Sequence, residues 1–186
     1  MEKRIIQREQ ALERITEHLL ASGLSKTSLR QLAGAADVSD RMLLYYFKKK
    51  DDVLTAAMQR VAFQLASLLE AALPADEKLP AAELLERGAK LTRSDEIAPY
   101  MKLSMEIVAK AGRGEAPYGD IAGAFVDGFM VWVEARLDTE DLNQRRAEAA
   151  LILTLIDGLA VVSLGVEAAD LDAAISLAVT KLKAAP

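Results

Sequence analysis

The sequence has 186 residues, of which 52% are hydrophobic and 27% charged, and this composition excludes a disordered chain. It contains no cysteine, so disulfides and thiolate metal sites are excluded as well. The formal net charge is −5, but residues 1–50 contain ten Lys and Arg against six Asp and Glu, whereas residues 51–186 contain thirteen against twenty-two. A basic first segment before an acidic remainder is typical of a nucleic-acid-binding domain attached to a body with another role.

Signals for secretion and for membrane insertion are both weak. Residues 1–10 lack the apolar stretch of a signal peptide. The longest apolar run, residues 149–166, includes Asp157 and two glycines and is short for a bilayer span. We interpret this run as a buried helix, and we expect a cytoplasmic protein with no membrane partner.

The chain begins with a predicted amphipathic helix over residues 4–20, which ends at Ser22–Gly23. A second, shorter helix is predicted next, because apolar residues recur at helical spacing between residues 29 and 33. Either Thr27 or Ser28 can serve as its N-cap.

A third short helix is predicted directly after a tight turn. Residues 35–37 are the connector, and their number matches the turn of a helix-turn-helix motif. Ser39 is a favourable N-cap, because its hydroxyl can accept a bond from a first-turn N–H. Val38 and Leu43 have the spacing of a hydrophobic staple. The first three helices therefore indicate a small helix-turn-helix domain.

The outer face of the third helix has the chemistry of a DNA-reading surface. With Leu43 and Phe47 facing inward, the first residues of the helix point outward, and three lysines follow the helix directly. Such positions contact base edges, while cations and phenolic hydroxyls contact phosphates. Arg41 is the expected main base reader, since guanidinium matches the O6 and N7 acceptors of guanine. The expected DNA-binding residues are Thr27, Ser28, Arg30, Ser39, Asp40, Arg41, Met42, Tyr45, Tyr46, Lys48 and Lys50.

Several parts of this segment resemble the DNA-binding signature of the tetracycline-repressor (TetR) family of bacterial regulators. They are residues 27–33 (TSLRQLA), Val38–Ser39, residues 43–47 (LLYYF) and Lys50. Leu44 departs from the signature, in which a tyrosine is common at that position. The resemblance implies a transcriptional regulator whose last two long helices form a homodimer.

The remainder of the chain predicts helices only. Four are expected before the carboxy-terminal pair, and Glu106 is expected to pair with Lys110 at i, i+4. Alternating apolar runs and hairpin turns are absent from the sequence. We therefore predict an all-α fold of about nine helices, with a DNA-binding domain at residues 1–50 and a regulatory and dimerisation domain at residues 51–186. The four helices are predicted at residues 51–73, 81–90, 99–111 and 118–137.

The last two predicted helices, residues 143–164 and 171–183, have more apolar surface than one domain can cover. If each pairs with its copy, the surplus is buried in a four-helix interface. A monomer with a thick core is the alternative. The expected interface residues are Leu151, Leu155, Leu159, Val162, Ile175, Val179 and Leu182.

A ligand cavity is also expected in the second domain, because methionine and aromatic side chains adapt well to a small apolar or amphipathic effector. The same side chains occur in any core, so an ordinary core is the alternative. Asp157 is expected to bond to a nearby donor, or to bind the ligand. The candidate ligand-binding residues are Met58, Tyr100, Met101, Met105, Phe125, Phe129 and Trp132.

Three classes of function are open to a chain with these features. The favoured one is a ligand-responsive, dimeric repressor that binds double-stranded DNA at a near-palindromic operator, although an activator would share this architecture. An enzyme is disfavoured, because there is one histidine, no cysteine, no phosphate-binding loop and no metal-ligand spacing. We expect neither a metal nor a cofactor. A helical protein-interaction module without DNA binding is the remaining alternative.

Overall fold

The computed structural model describes residues 2–184, with side chains from residue 4 onward. This part of the chain forms nine α-helices, a 3₁₀ turn at Gly23–Ser25 and an isolated β-bridge between Leu79 and Leu137. The prediction of an all-α fold of about nine helices is confirmed. The helices are α1 (Glu2–Ser22), α2 (Leu29–Ala35), α3 (Asp40–Tyr46), α4 (Lys50–Ala72), α5 (Ala81–Leu91), α6 (Ala98–Gly112), α7 (Tyr118–Glu134), α8 (Leu142–Val162) and α9 (Ala168–Lys183).

The backbone divides into two compact units. The first contains the chain up to Ser67 together with Lys102–Ala124, and the second contains Leu68–Met101 and the chain from Phe125 onward. Helices α4, α6 and α7 each contribute residues to both units. These units are defined by packing alone. The predicted boundary at residue 50, between a DNA-binding domain and a regulatory domain, stays a prediction.

The first unit is built on a core that α1, α2 and α3 share. Ile15, Leu19, Leu32 and Leu43 are completely buried. Thr16 is buried among them, and its hydroxyl donates to the Leu12 carbonyl oxygen at 2.8 Å, so that its polar atom is satisfied. The three helices are therefore held by apolar burial, which leaves their outer faces free for other contacts.

The core of the second unit lies between α5, α8 and α9. Leu84 and Leu85 of α5 pack in one buried cluster with Ile152 of α8. At Gly88 the backbone of α5 comes close to α8, because a Cβ there would lie 3.0 Å from Ile156 Cδ1. A side chain at this position would require the Ile156 side chain to shift.

A buried arginine fastens the end of α4 to the end of α7 in the second unit. Arg136 is 2% exposed, and it donates to the carbonyl oxygens of Leu73 at 2.6 Å and Trp132 at 2.8 Å, and to the carboxylate of Glu70. Its guanidinium also lies 3.7 Å from the centre of the Trp132 ring. Burial lowers the pKa of Arg136, and the Glu70 carboxylate opposes that effect. No motif in the sequence around Arg136 indicates this role.

None of the helices in the described part of the chain is both long and apolar enough to cross a membrane.

Candidate nucleic-acid interface

Helix α2 begins at a capping box. Ser28 Oγ accepts a hydrogen bond from the backbone N–H of Gln31, and Gln31 Oε1 accepts one from the backbone N–H of Ser28. Two N–H groups that lack partners at a helix start are thereby satisfied. Of the two predicted caps, Ser28 is the one used, while Thr27 donates its hydroxyl to the Leu24 carbonyl oxygen at 3.2 Å.

The turn between α2 and α3 is held from α1. Arg14 Nη1 donates to the Ala36 carbonyl oxygen and to the Asp37 carboxylate, both at 3.3 Å. Asp37 has a φ of 56°, in the left-handed region that aspartate tolerates better than most residues. These contacts fix the angle at which the third helix leaves the second.

Helix α3 has a buried inner face and an exposed outer face, as predicted. Ser39 caps the helix by accepting a bond from the Met42 N–H at 3.2 Å, which confirms the predicted N-cap. Leu43 and Phe47 are buried, whereas Arg41, Met42 and Tyr45 are exposed. Because the inner face anchors the helix, the exposed side chains are presented on a fixed support.

The structure places most of the predicted DNA-binding residues at the surface. Thr27 is half-buried. Tyr46 is the one predicted residue that is buried: it is 8% exposed, and its hydroxyl donates to Gln7 Oε1 at 3.4 Å. We therefore remove Tyr46 from the contact set. The exposed ones are Ser28, Arg30, Ser39, Asp40, Arg41, Met42, Tyr45, Lys48 and Lys50.

Residues 12–57, which include this helix-turn-helix unit, match the sequence model for bacterial regulatory proteins of the tetR family. This segment is similar to the DNA-binding part of tetR-family regulators. The match supports a DNA-binding transcriptional regulator. The TetR-family match thus covers the part of the chain in which capping, turn geometry and exposed cations point to DNA.

Several solved structures, two of them of TetR-family regulators, have the same fold over nearly the whole chain. A TetR-family regulator from Cytophaga hutchinsonii is 16% identical, with a TM-score of 0.73 and coverage of 98% of this chain and 96% of that one. A TetR-family regulator from Rhodococcus sp. is 18% identical, with a TM-score of 0.72 and coverage of 98% and 99%. The multidrug-binding protein EbrR in complex with proflavin is 21% identical, with a TM-score of 0.68 and coverage of 95% and 99%.

Structural similarity at sequence identities of 16% to 21% establishes the fold of the chain. Comparison with curated protein sequences finds no significant match.

The candidate ligand-binding residues differ in burial. Met58 and Met105 belong to the first unit, where Met58 is 1% exposed and Met105 is half-buried. In the second unit, Phe125 and Phe129 make an edge-to-face contact with ring centres 6.2 Å apart. Tyr100 is partly buried there, and this burial, with a smaller effect of the Glu96 charge, raises the pKa of its hydroxyl. The second-unit candidates, all half-buried, are Tyr100, Met101, Phe125, Phe129 and Trp132.

A cavity of about 500 Å³ lies on the second unit beside α5, and five of its seven lining residues are charged. None of the predicted ligand-binding residues lines it. Elsewhere, no group of three or more His, Asp or Glu side chains in the described part of the chain is arranged to hold a metal ion. The lining residues are Pro80, Ala82, Glu83, Glu86, Arg87, Lys90 and Lys183.

The predicted dimer residues separate into an outward and an inward set. Leu151 and Val162 of α8 are exposed in the single chain, and Leu155, Leu159 and Leu182 are half-buried. The inward set consists of Ile175 and Val179, which are buried in the core of their own unit.

Ile175 and Val179 are therefore unavailable to a partner, and the prediction is corrected for both. Leu177, 61% exposed, is the large apolar side chain that α9 presents outward.

Asp157 lies on the same helix as the exposed apolar residues of α8. Much of its surface is open in the single chain, yet partial burial of its carboxyl raises its pKa. A raised pKa means that the charged form is disfavoured at this position.

Proposed function

We propose that the protein is a ligand-responsive repressor, which acts in the cytoplasm by binding a near-palindromic operator as a homodimer. The observation that supports DNA reading most directly is the division of α3 into a buried face with Leu43 and an exposed face with Arg41, Met42 and Tyr45. Three exposed lysines follow at positions 48–50. A recognition helix needs this combination, because it must be fixed to its domain and still reach base edges.

The exposed residues fall into base-reading and phosphate-binding roles. Arg41 is assigned to a guanine, since its two donors match O6 and N7, and Met42 to a thymine methyl group. Asp40, in the first turn of α3, suits the positive end of the helix dipole. The phosphate-binding set is Thr27, Ser28, Arg30, Tyr45, Lys48 and Lys50.

Homodimerisation is supported by the apolar surface that α8 and α9 leave uncovered in a single chain. Leu151, Val161 and Val162 of α8 and Leu177 of α9 are between 41% and 61% exposed. A second copy would cover this surface, and a two-fold axis would place the two recognition helices about one DNA turn apart, roughly 34–36 Å. This spacing predicts an operator with two symmetric half-sites.

An apolar or amphipathic effector is supported by the half-buried aromatic side chains of the second unit. Phe125, Phe129 and Trp132 offer flat apolar surfaces, and Tyr100 adds a partly desolvated hydroxyl. The related fold of EbrR binds proflavin, a planar molecule. Met101 of the same unit completes the proposed ligand-binding set, and Met58 and Met105, which belong to the first unit, stay separate candidates.

Regulation is proposed to be a shift between two conformations of the dimer, of which one has a half-site spacing that fits the operator. A ligand changes this equilibrium only if it binds the two conformations with different affinities. Helix α6 offers a route, because it begins at Ala98 in the second unit, and Glu106 further along it contacts the turn after α1. We propose no enzymatic activity, since regulators of this family generally act by binding DNA.

The test is selection of bound fragments from random duplex DNA by the purified protein, followed by a salt titration on the recovered sequence. We expect a two-fold-symmetric consensus and a steep decrease of affinity with salt. A protein with Arg41→Ala and Lys50→Ala should recover the consensus more weakly and without a preference at the base pair assigned to Arg41, which controls for adventitious enrichment. If the unaltered protein enriches no sequence at low salt without ligand, the DNA-binding proposal fails, and the interaction-module alternative is favoured.

A further inference from the structure

Arg4, in the first turns of α1, contacts the end of the recognition helix twice. Its Nη2 donates to the backbone carbonyl oxygen of Tyr45 at 3.1 Å. Its guanidinium carbon also lies 4.4 Å from the centre of the Tyr45 ring. One side chain thus holds both the backbone and the ring of a residue that is 56% exposed and assigned to a phosphate contact.

The next residues follow the same order along both helices. Tyr46 donates its hydroxyl to Gln7 Oε1 at 3.4 Å, and the Arg8 guanidinium lies 4.6 Å from the centre of the Phe47 ring. Three successive aromatic residues are therefore each contacted from α1. Tyr46 and Phe47 are buried, whereas Tyr45, which contacts Arg4 and has its ring centre 5.9 Å from that of Tyr46, stays 56% exposed.

The start of α1 is itself anchored to α4. Arg60 donates to the Glu9 carbonyl oxygen at 3.2 Å and to the Glu9 carboxylate at 3.3 Å, and Arg8 forms an ion pair with Glu9 at 2.6 Å. The contacts from α1 to the end of α3 consequently come from a supported helix.

A recognition helix of seven residues needs such a contact. The last carbonyl groups of any helix lack partners within it, and cations are favoured at this negative end of the helix dipole. Arg4 supplies a donor and a positive charge to the Tyr45 carbonyl. The flat guanidinium also restricts the Tyr45 ring, which would otherwise exchange between rotamers at the surface.

We propose that Arg4 is a positioning residue of the DNA-binding site, which acts through Tyr45 by holding the end of the recognition helix and the tyrosine ring in the orientation that meets DNA. The inference rests on the proposed DNA-binding function. If Arg4 instead contacted a phosphate directly, its contribution to DNA binding would not depend on Tyr45.

A double-mutant cycle separates the two roles. The probe is the duplex recovered by selection with the unaltered protein, and the variants are Arg4→Ala, Tyr45→Ala and their combination. Arg4→Ala should weaken binding about three- to tenfold, the scale of a lost cation–π contact and hydrogen bond. In the Tyr45→Ala background the same change should have less than about a twofold effect. Equal losses in both backgrounds would overturn the proposal.

Salt dependence and a conservative variant give a second criterion. A residue that acts through Tyr45 leaves the salt slope unchanged when removed, whereas a lost phosphate contact lowers the slope by about 0.9. Arg4→Lys keeps the charge and loses the flat guanidinium, so it should bind almost as weakly as Arg4→Ala. Full rescue by lysine would show that charge alone matters. Arg146→Ala, an exposed arginine of α8, is the control for the change in net charge.

A measurement on the protein without DNA tests the positioning role of Arg4 independently of the proposed DNA-binding function. NMR relaxation of the labelled Tyr45 ring should show greater motion in Arg4→Ala than in the unaltered protein, with thermal unfolding confirming that the variant is folded. Equal ring order in both proteins would refute the positioning role even if DNA binding is established. Failure of the proposed function is distinguishable, because it would appear as absence of sequence selection by the unaltered protein.

Discussion

The backbone N–H of Leu24 donates a hydrogen bond to Glu106 Oε2 at 2.7 Å, which joins the turn after α1 to helix α6 across 82 positions of sequence. The adjacent Gly23 has a φ of +68°, and a Cβ at this position would overlap the Glu106 carboxylate. Glycine is therefore required here for two reasons, the backbone conformation and the space that the carboxylate occupies. The turn after α1 and helix α6 therefore meet at a contact that one carboxylate makes.

Removal of this carboxylate should destabilise the protein. Glu106→Ala leaves the partly buried Leu24 N–H without its charged acceptor, and we expect the free energy of unfolding to fall by about 1.5–3 kcal/mol. Gly23→Ala should also destabilise, but less in the Glu106→Ala background, because the overlap with the carboxylate is then relieved. Urea unfolding of the four proteins measures both effects. Additive losses would contradict a direct contact, and Glu13→Gln, an exposed glutamate of α1, should change little.

Arg41 and Lys50 should contribute to DNA binding in different ways. Arg41→Ala should relax the preference at one base pair of each half-site by about 1–3 kcal/mol, because a bidentate contact to guanine is lost. Lys50→Ala should weaken binding to all sequences alike and lower the salt slope by about 0.9 for each phosphate contact removed. Titration of both variants against a panel of single-base operator changes distinguishes these patterns.

If the two substitutions gave the same pattern across the panel, the assignment of base-reading and phosphate-binding roles would be wrong. Lys102→Ala, an exposed lysine of α6, provides the control for loss of one positive charge.

Arg136 should be important for the stability of the second unit rather than for DNA recognition. Arg136→Met keeps most of the apolar volume and removes the donors to the carbonyl oxygens of Leu73 and Trp132. Buried acceptors without partners cost on the order of 1–3 kcal/mol, so the urea midpoint should fall. Glu70→Gln should have a much smaller effect, since Glu70 is solvent-exposed and also accepts from the Ala75 N–H. Equal stability of Arg136→Met and the unaltered protein would contradict this role.

The features that could be predicted from the sequence are those determined by neighbouring residues. Ser39 was identifiable as an N-cap because capping needs only a hydroxyl at the right position before an apolar repeat. The two faces of α3 followed from the spacing of Leu43 and Phe47. The burial of Tyr46 was not predictable, because helical spacing does not reveal that Gln7 of α1 accepts a hydrogen bond from its hydroxyl.

The remaining errors concern contacts between segments that are distant in sequence. The predicted pair of Glu106 and Lys110 is wrong: Glu106 accepts from Leu24, and Lys110 pairs with Glu115 at 2.9 Å. An i, i+4 ion pair contributes only about 0.3–0.5 kcal/mol to stability. A hydrogen bond from a backbone N–H to the same carboxylate contributes more, so it replaces the ion pair. The sequence around Arg136 contains no signal for its role, because two of its three acceptors, on Leu73 and Glu70, come from the end of α4.

The exposed apolar surface of α8 and α9 should be the dimer interface. Leu177→Glu places a charge at a position that we expect to be buried between two copies, so the dimer should dissociate at concentrations at which the unaltered protein is dimeric. Val131→Glu is the matched control, because Val131 of α7 is 67% exposed and is equally apolar. Sedimentation equilibrium measures the dissociation constant of each variant, and circular dichroism checks the fold. We expect at least a tenfold weaker dimer for Leu177→Glu, with loss of operator binding, and no change for Val131→Glu. If only Val131→Glu weakened the dimer, the interface would lie on α7. If neither variant weakened it, neither surface would belong to the interface.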